Sequence, residues 1–221
     1  MTEIEYNKLS NDLMQLSGKI PEKWGNIQND KTDAKIDMFS IKDYVELEGA
    51  IGMLEEGEKD YYRRRWDLWK CAQCGEYLFC LNLNVTENPN KKDQEYDIEF
   101  NNDETLRFDV KGTVVPRGFR YNLKAIINEP EDLIEFFYTQ QSKGVRNNLQ
   151  NRLFIIHHSA KEQRREILLR SKWEYKEKVY KEYAEYITKQ SEFIRYKSCK
   201  VDIIYIGEKK NGNLTHFIQS K

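Results

Sequence analysis

Residues 95–111 constrain this chain more than any other stretch. Glu95–Phe100 (EYDIEF) and Leu106–Lys111 (LRFDVK) each alternate apolar and polar residues, and five polar residues, Asn101–Thr105, separate them. Such alternation is the period of a strand with one buried face, and the spacing predicts an antiparallel hairpin. The simplest register sets Phe100 opposite Leu106, Ile98 opposite Phe108 and Asp97 opposite Asp109. Tyr96, Ile98, Phe100, Phe108 and Val110 then share the apolar face. Asp97, Glu99, Arg107, Asp109 and Lys111 share the other. Glu99 facing Arg107 is an ordinary cross-strand ion pair. Asp97 facing Asp109 is not, because directly opposed like charges weaken a sheet. A divalent cation is the natural offset. Mg²⁺ takes one or two carboxylates and keeps waters and phosphate oxygens in the rest of its shell.

The surrounding pattern sets the fold class. Residues 1–17 read as a short amphipathic helix, Asp43–Leu54 as a second, and Glu55–Lys70 as a third. Tyr77, Phe79, Leu81, Leu83 and Val85 alternate as a strand would, with Thr86–Gln94 as a loop behind them. After the hairpin, Pro130 begins a helix as its N1 residue, with Gly144 as its stop. Leu153–His157 (LFIIH) is an apolar run of the kind buried on both faces. A long charged helix is expected over about 161–190, with Leu169, Trp173, Tyr180, Tyr183 and Ile187 on one side. Val201–Ile206 is a strand, and Leu214–Ile218 pairs back as an edge strand. This order predicts an α/β (α+β) chain: one domain over 1–221, mainly helical over 1–75, with a mixed sheet flanked by helices over 76–221.

Asp97, eleven intervening residues, then Asp109-Val110-Lys111 resembles the PD-(D/E)xK nuclease superfamily. Its signature is an acid on one strand and Asp/Glu-x-Lys on the next. Tyr96 stands where a proline is usual. The resemblance covers roughly residues 76–157. It implies a restriction-endonuclease-like core and Mg²⁺-dependent endonucleolytic hydrolysis of DNA, with Mn²⁺ able to substitute, of which a type II restriction enzyme is one specific form. Asp97 and Asp109 would bind the metal, and Lys111 would act on the water or the phosphate. The Val110 carbonyl is a further candidate ligand, and Glu99 a secondary candidate. An acid from a preceding helix also belongs to the pattern, with Glu46 and Glu48 as candidates.

Other features are weighed against plainer readings. Tyr61–Trp66 (YYRRRW) offers Arg63, Arg64 and Arg65 as DNA contacts, or else a solvated helix face beside core aromatics. Gln140–Arg152 is amide-rich and basic, with Lys143, Arg146 and Arg152 as phosphate contacts, or else an ordinary loop. Cys71 and Cys74 have the spacing of half a zinc site or a redox pair. The other half is missing, so zinc is not expected, and buried thiols are the simpler reading. His157 is a base or metal neighbour, or a strand-end histidine with a satisfied hydrogen bond. The Trp173/Tyr180/Tyr183 stripe is core packing or, if wide, the face of a homodimer suited to a two-fold target.

A formal net charge of -1 argues against indiscriminate, charge-driven polyanion binding and leaves DNA contact to local patches. No apolar run approaches the ~20 residues that span a bilayer. The acidic start MTEIEY carries no secretory signal, so a cytoplasmic chain with reduced cysteines and no membrane partner is expected. The alternatives to a nuclease are a nucleic-acid- or protein-binding module retaining the fold, and a Cys71/Cys74 metal or redox protein.

Overall fold

The computed structural model of the protein describes residues 1–21, 30–90, 95–122, 127–140, 149–190 and 192–219. The apolar run around Leu153 organises it. Strand β4 (Arg152–Ser159) is flanked on both sides by parallel neighbours, β3 (Arg107–Val114) and β6 (Cys199–Glu208). Its even and odd residues therefore both face protein, as a central parallel strand requires. Leu153 and Ile155 enter one core with Phe108, Ile204 and Ile206; Phe154 and Ile156 enter the other with Val115, Ile203 and Tyr205.

The remaining strands are antiparallel. They are β1 (Val85–Glu87) and β2 (Ile98–Phe100) on one edge, with β5 (Ile194–Tyr196) and β7 (Leu214–Gln219) both pairing with β6. Among the described residues the sheet has seven strands, in the order β1-β2-β3-β4-β6-β5, with β7 alongside β6. Five longer helices cover it among these residues: α1 (Glu3–Leu16), α2 (Tyr44–Ile51), α3 (Glu56–Cys80), α4 (Glu131–Thr139) and α5 (Trp173–Ile187). Helices α1, α2, α3 and α5 supply the larger core; α4 supplies the smaller one through Leu133, Ile134, Phe137 and Tyr138. The mixed α/β class read from the sequence is the class observed. No helix among the described residues is long and apolar enough to cross a membrane.

Three expectations are corrected. Residues 77–80 are not strand but the last turn of α3, which is 25 residues long. Cys71, Cys74 and Leu78 are among its buried residues, three and four apart, and Phe79, also buried, stacks on Tyr180 at 3.9 Å. Leu81 and Leu83, which completed the apparent alternation, are exposed. Helical burial of one face outweighed a two-residue period that had nothing to pair with. The first strand instead begins at Val85, within and beyond what read as loop. The expected helix over 161–190 is also broken. A 3-10 turn at Gln163–Arg165 and a single helical turn at Glu166–Leu169 precede α5. Arg165 pairs with Glu208, and Arg120 pairs with Glu166 through both carboxylate oxygens. These bonds hold the charged segment against the sheet instead of letting it continue the helix. Finally, Pro130 caps α4 rather than occupying its first turn. Gly144, the expected stop, lies outside the described residues.

The hairpin register is as read. Ile98 pairs with Phe108 and Glu99 with Arg107. Asn101 and Asn102 both adopt φ near +55° (57° and 54°) in the connecting turn. Asparagine tolerates this left-handed region better than other residues with a Cβ.

Candidate active site

The β2–β3 ladder ends where the site begins. Asp109 turns its N–H toward Asn151 on the β4 side, so the next N–H of β3, from Val110, points the other way, where β2 has ended. The Asp97 carboxylate occupies that place: its Oδ2 accepts the Val110 N–H at 2.7 Å. Asp97 is itself fixed by its backbone, whose N–H donates to Phe108 and whose carbonyl accepts from Asn88, both at 2.9 Å. Burial pushes Asp97 up to about 6; Lys111 and the Val110 N–H hold it down, while the neighbouring Asp109 carboxylate raises it further. Two carboxylates thus share one small space, as the register predicts.

Asp109 is buried at 3% exposure and carries two cations. Lys111 pairs with its Oδ1, and the Arg152 guanidinium lies 3.4 Å from its Oδ2. Arg152 is equally buried and sits over the Tyr138 ring at 4.3 Å. It therefore faces the acid pair from within the protein and is not the loop-borne phosphate contact the sequence suggests. Lys143 and Arg146 lie outside the described residues.

The secondary candidates separate cleanly. Glu99 is held by Arg107 at 2.5 Å, the plain cross-strand pair. Glu48 forks onto Arg63 at 2.7 and 2.8 Å, and Glu46 accepts the Lys42 N–H at 2.8 Å. Glu48 thus belongs to the junction of α2 with α3, and Glu46 to the N-terminus of α2. Val110 contributes its N–H to Asp97. Arg65 pairs with Asp33 at 3.2 Å, and Arg64 donates to the Pro21 carbonyl at 2.7 Å. With Tyr61, Tyr62 and Trp66 buried, the YYRRRW cluster chiefly ties α3 to its neighbours.

One helix-borne acid that lines two cavities with Asp97 is one the sequence reading missed. Glu76 lines, together with Asp97, both a cleft of about 640 Å³ and a second cavity of about 450 Å³ that includes Val110 and Lys111. Reading residues 76–85 as a strand hid it; a helix through Cys80 brings it to the site. Among the described residues no three acids, histidines or cysteines converge closely enough to hold a metal ion by themselves. The donor set is two carboxylates, which suits a cation that keeps most of its waters, as Mg²⁺ does.

Cys71 and Cys74 lie buried on α3, and burial pushes both thiols up, Cys74 to about 12. Such thiols are poor nucleophiles and poor metal ligands. His157 is buried, with Nδ1 at 3.2 Å from the Thr113 carbonyl. Trp173, Tyr180 and Tyr183 are buried inside the chain, so that stripe is core rather than a free dimer face. Comparison with family models, with curated proteins and with solved structures found no match.

Proposed function

We propose that this protein is a Mg²⁺-dependent endodeoxyribonuclease of PD-(D/E)xK type, with Asp97, Asp109 and Lys111 at its centre. One observation carries the reading: two acids meet across adjacent strands, both largely withdrawn from solvent, with a lysine two residues along the same strand. Mutual repulsion makes that arrangement costly without a cation between the acids. Mg²⁺ or Mn²⁺ bound there would lower the pKa of a water and offset charge on the phosphate being cleaved.

The chain's own groups supply the rest. The Val110 N–H fixes Asp97 by bonding its Oδ2. Arg152 holds Asp109 from inside the fold and acts as a positioning residue. Lys111 pairs with Asp109 and is close enough to the pair to reach a phosphate oxygen or the attacking water as the cation takes over the carboxylate. Glu76, on α3, lines the same cavities as Asp97 and is the candidate for the helix-borne acid of the pattern, outside the two-carboxylate donor set.

Plasmid, linear viral and branched DNA incubated with Mg²⁺, Mn²⁺ or EDTA test the reading. Cleavage that EDTA abolishes, and that Asp109→Asn lacks, is the expected result. Full cleavage by Asp109→Asn would sink the site assignment. The non-catalytic binding module has one observation in its favour: Lys111 and Arg152 already compensate Asp109. It predicts that Mg²⁺ and Mn²⁺ leave the melting temperature unchanged, whereas a bound ion raises it in the wild type and not in Asp109→Asn.

A further inference from the structure

Behind the carboxylate pair, on the α3/α5 side of the sheet, lies the cavity of about 450 Å³. Its size is that of a small-ligand site. Four elements meet at it: Gly112 of β3, His157 of β4, Arg170 from the turn before α5, and Lys176 of α5. Lys176 is 3% exposed. Its ammonium donates to the Arg170 carbonyl at 3.2 Å and lies over the rings of Trp173 and Tyr180, at 4.8 and 5.4 Å. Arg170 donates to the Gly112 carbonyl at 3.3 Å. Among the described residues no carboxylate lies within ion-pair distance of either cation. The acids whose field Arg170 feels are Asp67, deep in α3, and Glu166, and burial pushes the Asp67 carboxyl up to about 7. Lys176 is withdrawn from water and Arg170 partly so, both without a paired anion among the described residues; such groups are costly and mark sites that wait for a ligand.

His157 supplies the other half of the recognition. Nδ1 faces a carbonyl, which can only accept, so Nδ1 carries the proton. Burial keeps the ring's pKa well below its ordinary value, so the ring is neutral and Nε2 is a bare acceptor. That atom is buried, without a hydrogen-bond partner, in a residue lining the cavity. A buried acceptor left unpaired calls for a donor from outside the protein.

We propose that this cavity is an oxyanion pocket for a phosphate bearing one hydroxyl: Lys176 and Arg170 donate to its charged oxygens, and its P–OH donates to His157 Nε2. Hydrogenphosphate and the terminal phosphomonoester of a nucleic-acid strand share that chemistry. Asp97 and Lys111 lie on the same cavity, so a strand end held there would sit beside the carboxylate pair. Phosphate binding requires neither the metal nor cleavage, so the pocket and the nuclease reading can fail separately. Gly112 is part of the construction. A methyl group at its α-carbon would come within 2.8 Å of Arg170 Nη1, so any larger residue would push the end of that side chain aside.

The chain has three histidines, which makes their ring resonances separable by ¹H–¹⁵N correlation. The titration uses the full chain in EDTA, with inorganic phosphate against chloride at matched ionic strength. A saturable shift of the His157 ring, with His216 unmoved, is expected. Lys176→Met and Arg170→Met, checked for folding by circular dichroism, should each weaken that binding at least tenfold. No saturable shift, or unchanged affinity in both variants, overturns the pocket. If the two variants do not fold, the wild-type titration carries the test, and the absence of a saturable His157 shift overturns the pocket equally. Competition by a 5′-phosphorylated oligonucleotide, and not by its 5′-hydroxyl counterpart, assigns the strand end as ligand. Competition by neither, with the phosphate shift intact, assigns the free ion.

Discussion

Asp109 and Asp202 are both aspartates buried in one sheet, at 3% and 1% exposure, yet they live in opposite chemical settings. Asp109 is surrounded by charge: Lys111, Arg152 and the second acid, Asp97. Asp202, on β6, has only neutral donors. The Tyr183 hydroxyl donates to its Oδ2 at 3.1 Å and the Ile203 N–H to its Oδ1 at 2.8 Å. Burial pushes Asp202 up to about 7, against the downward pull of those two bonds. The contrast teaches that burial of an acid is not itself a sign of function. A charged surround that the fold assembles from several elements is the sign, because only that keeps a carboxylate ready to meet a cation.

The largest expected effect lies on the charged side of the comparison. Removing the Lys111 ammonium as Lys111→Ala should lower the cleavage rate by about 10²–10³-fold, the range for losing one group that stabilises a transition state. Single-turnover cleavage with saturating Mn²⁺ reads it, and a rate within threefold of wild type would break the distinction between the two aspartates. Next is Arg152→Met. Taking one partner from a buried pair costs about 3 kcal/mol, the lower end of the usual range because Lys111 still meets Asp109. Urea denaturation measures it, and an unchanged midpoint would show that the 3.4 Å contact carries nothing.

The neutral side predicts a pH effect of definite sign. Asp202 binds its proton more tightly folded than unfolded, where its pKa is ordinary. Stability is therefore highest below about pH 4 as far as this group goes, falls as pH rises to about 7, and is flat above. The slope is at most on the order of 1.4 kcal/mol per pH unit in that window. Asp67, also pushed up to about 7, adds a contribution of the same sign. Asp202→Asn should flatten the wild-type profile and gain most relative to wild type at pH 8, with cleavage retained. A steeper profile would contradict the assignment. The smallest effect belongs to Glu99→Gln. Its pair with Arg107 is partly exposed, and such pairs contribute little. Unchanged cleavage and an unchanged melting temperature are expected, and a loss of cleavage would return Glu99 to the site.

Some of this was legible in the residues. The hairpin register, the separation of Glu99 from Asp97 and Asp109, the doubly buried strand around Leu153 and the β7 edge strand all follow from periods of two between turn residues. The alternation at 77–85 misled because a two-residue period and a helical one agree over so short a run; only Tyr180 and Tyr183 packing on Phe79 decide it. That single choice also concealed Glu76. Arg152 looked like part of a basic loop, since nothing local marks an arginine that begins a central strand. Arg170 and Lys176 fell within the expected charged helix over about 161–190 and carried no mark of their own. Their partners, Gly112 and His157, are far away in sequence, and no local pattern links them.

The sequence by itself determined the hairpin, and with it the meeting of Asp97 and Asp109, because register within a hairpin is a local property of alternation and turn length. Tertiary structure alone decided what surrounds that meeting: Arg152 behind it, Glu76 beside it, and the cavity of Arg170, Lys176 and His157 beneath the same strand. Those contacts join elements tens of residues apart, and their geometry is set by how helices pack on a sheet rather than by any period a sequence can display.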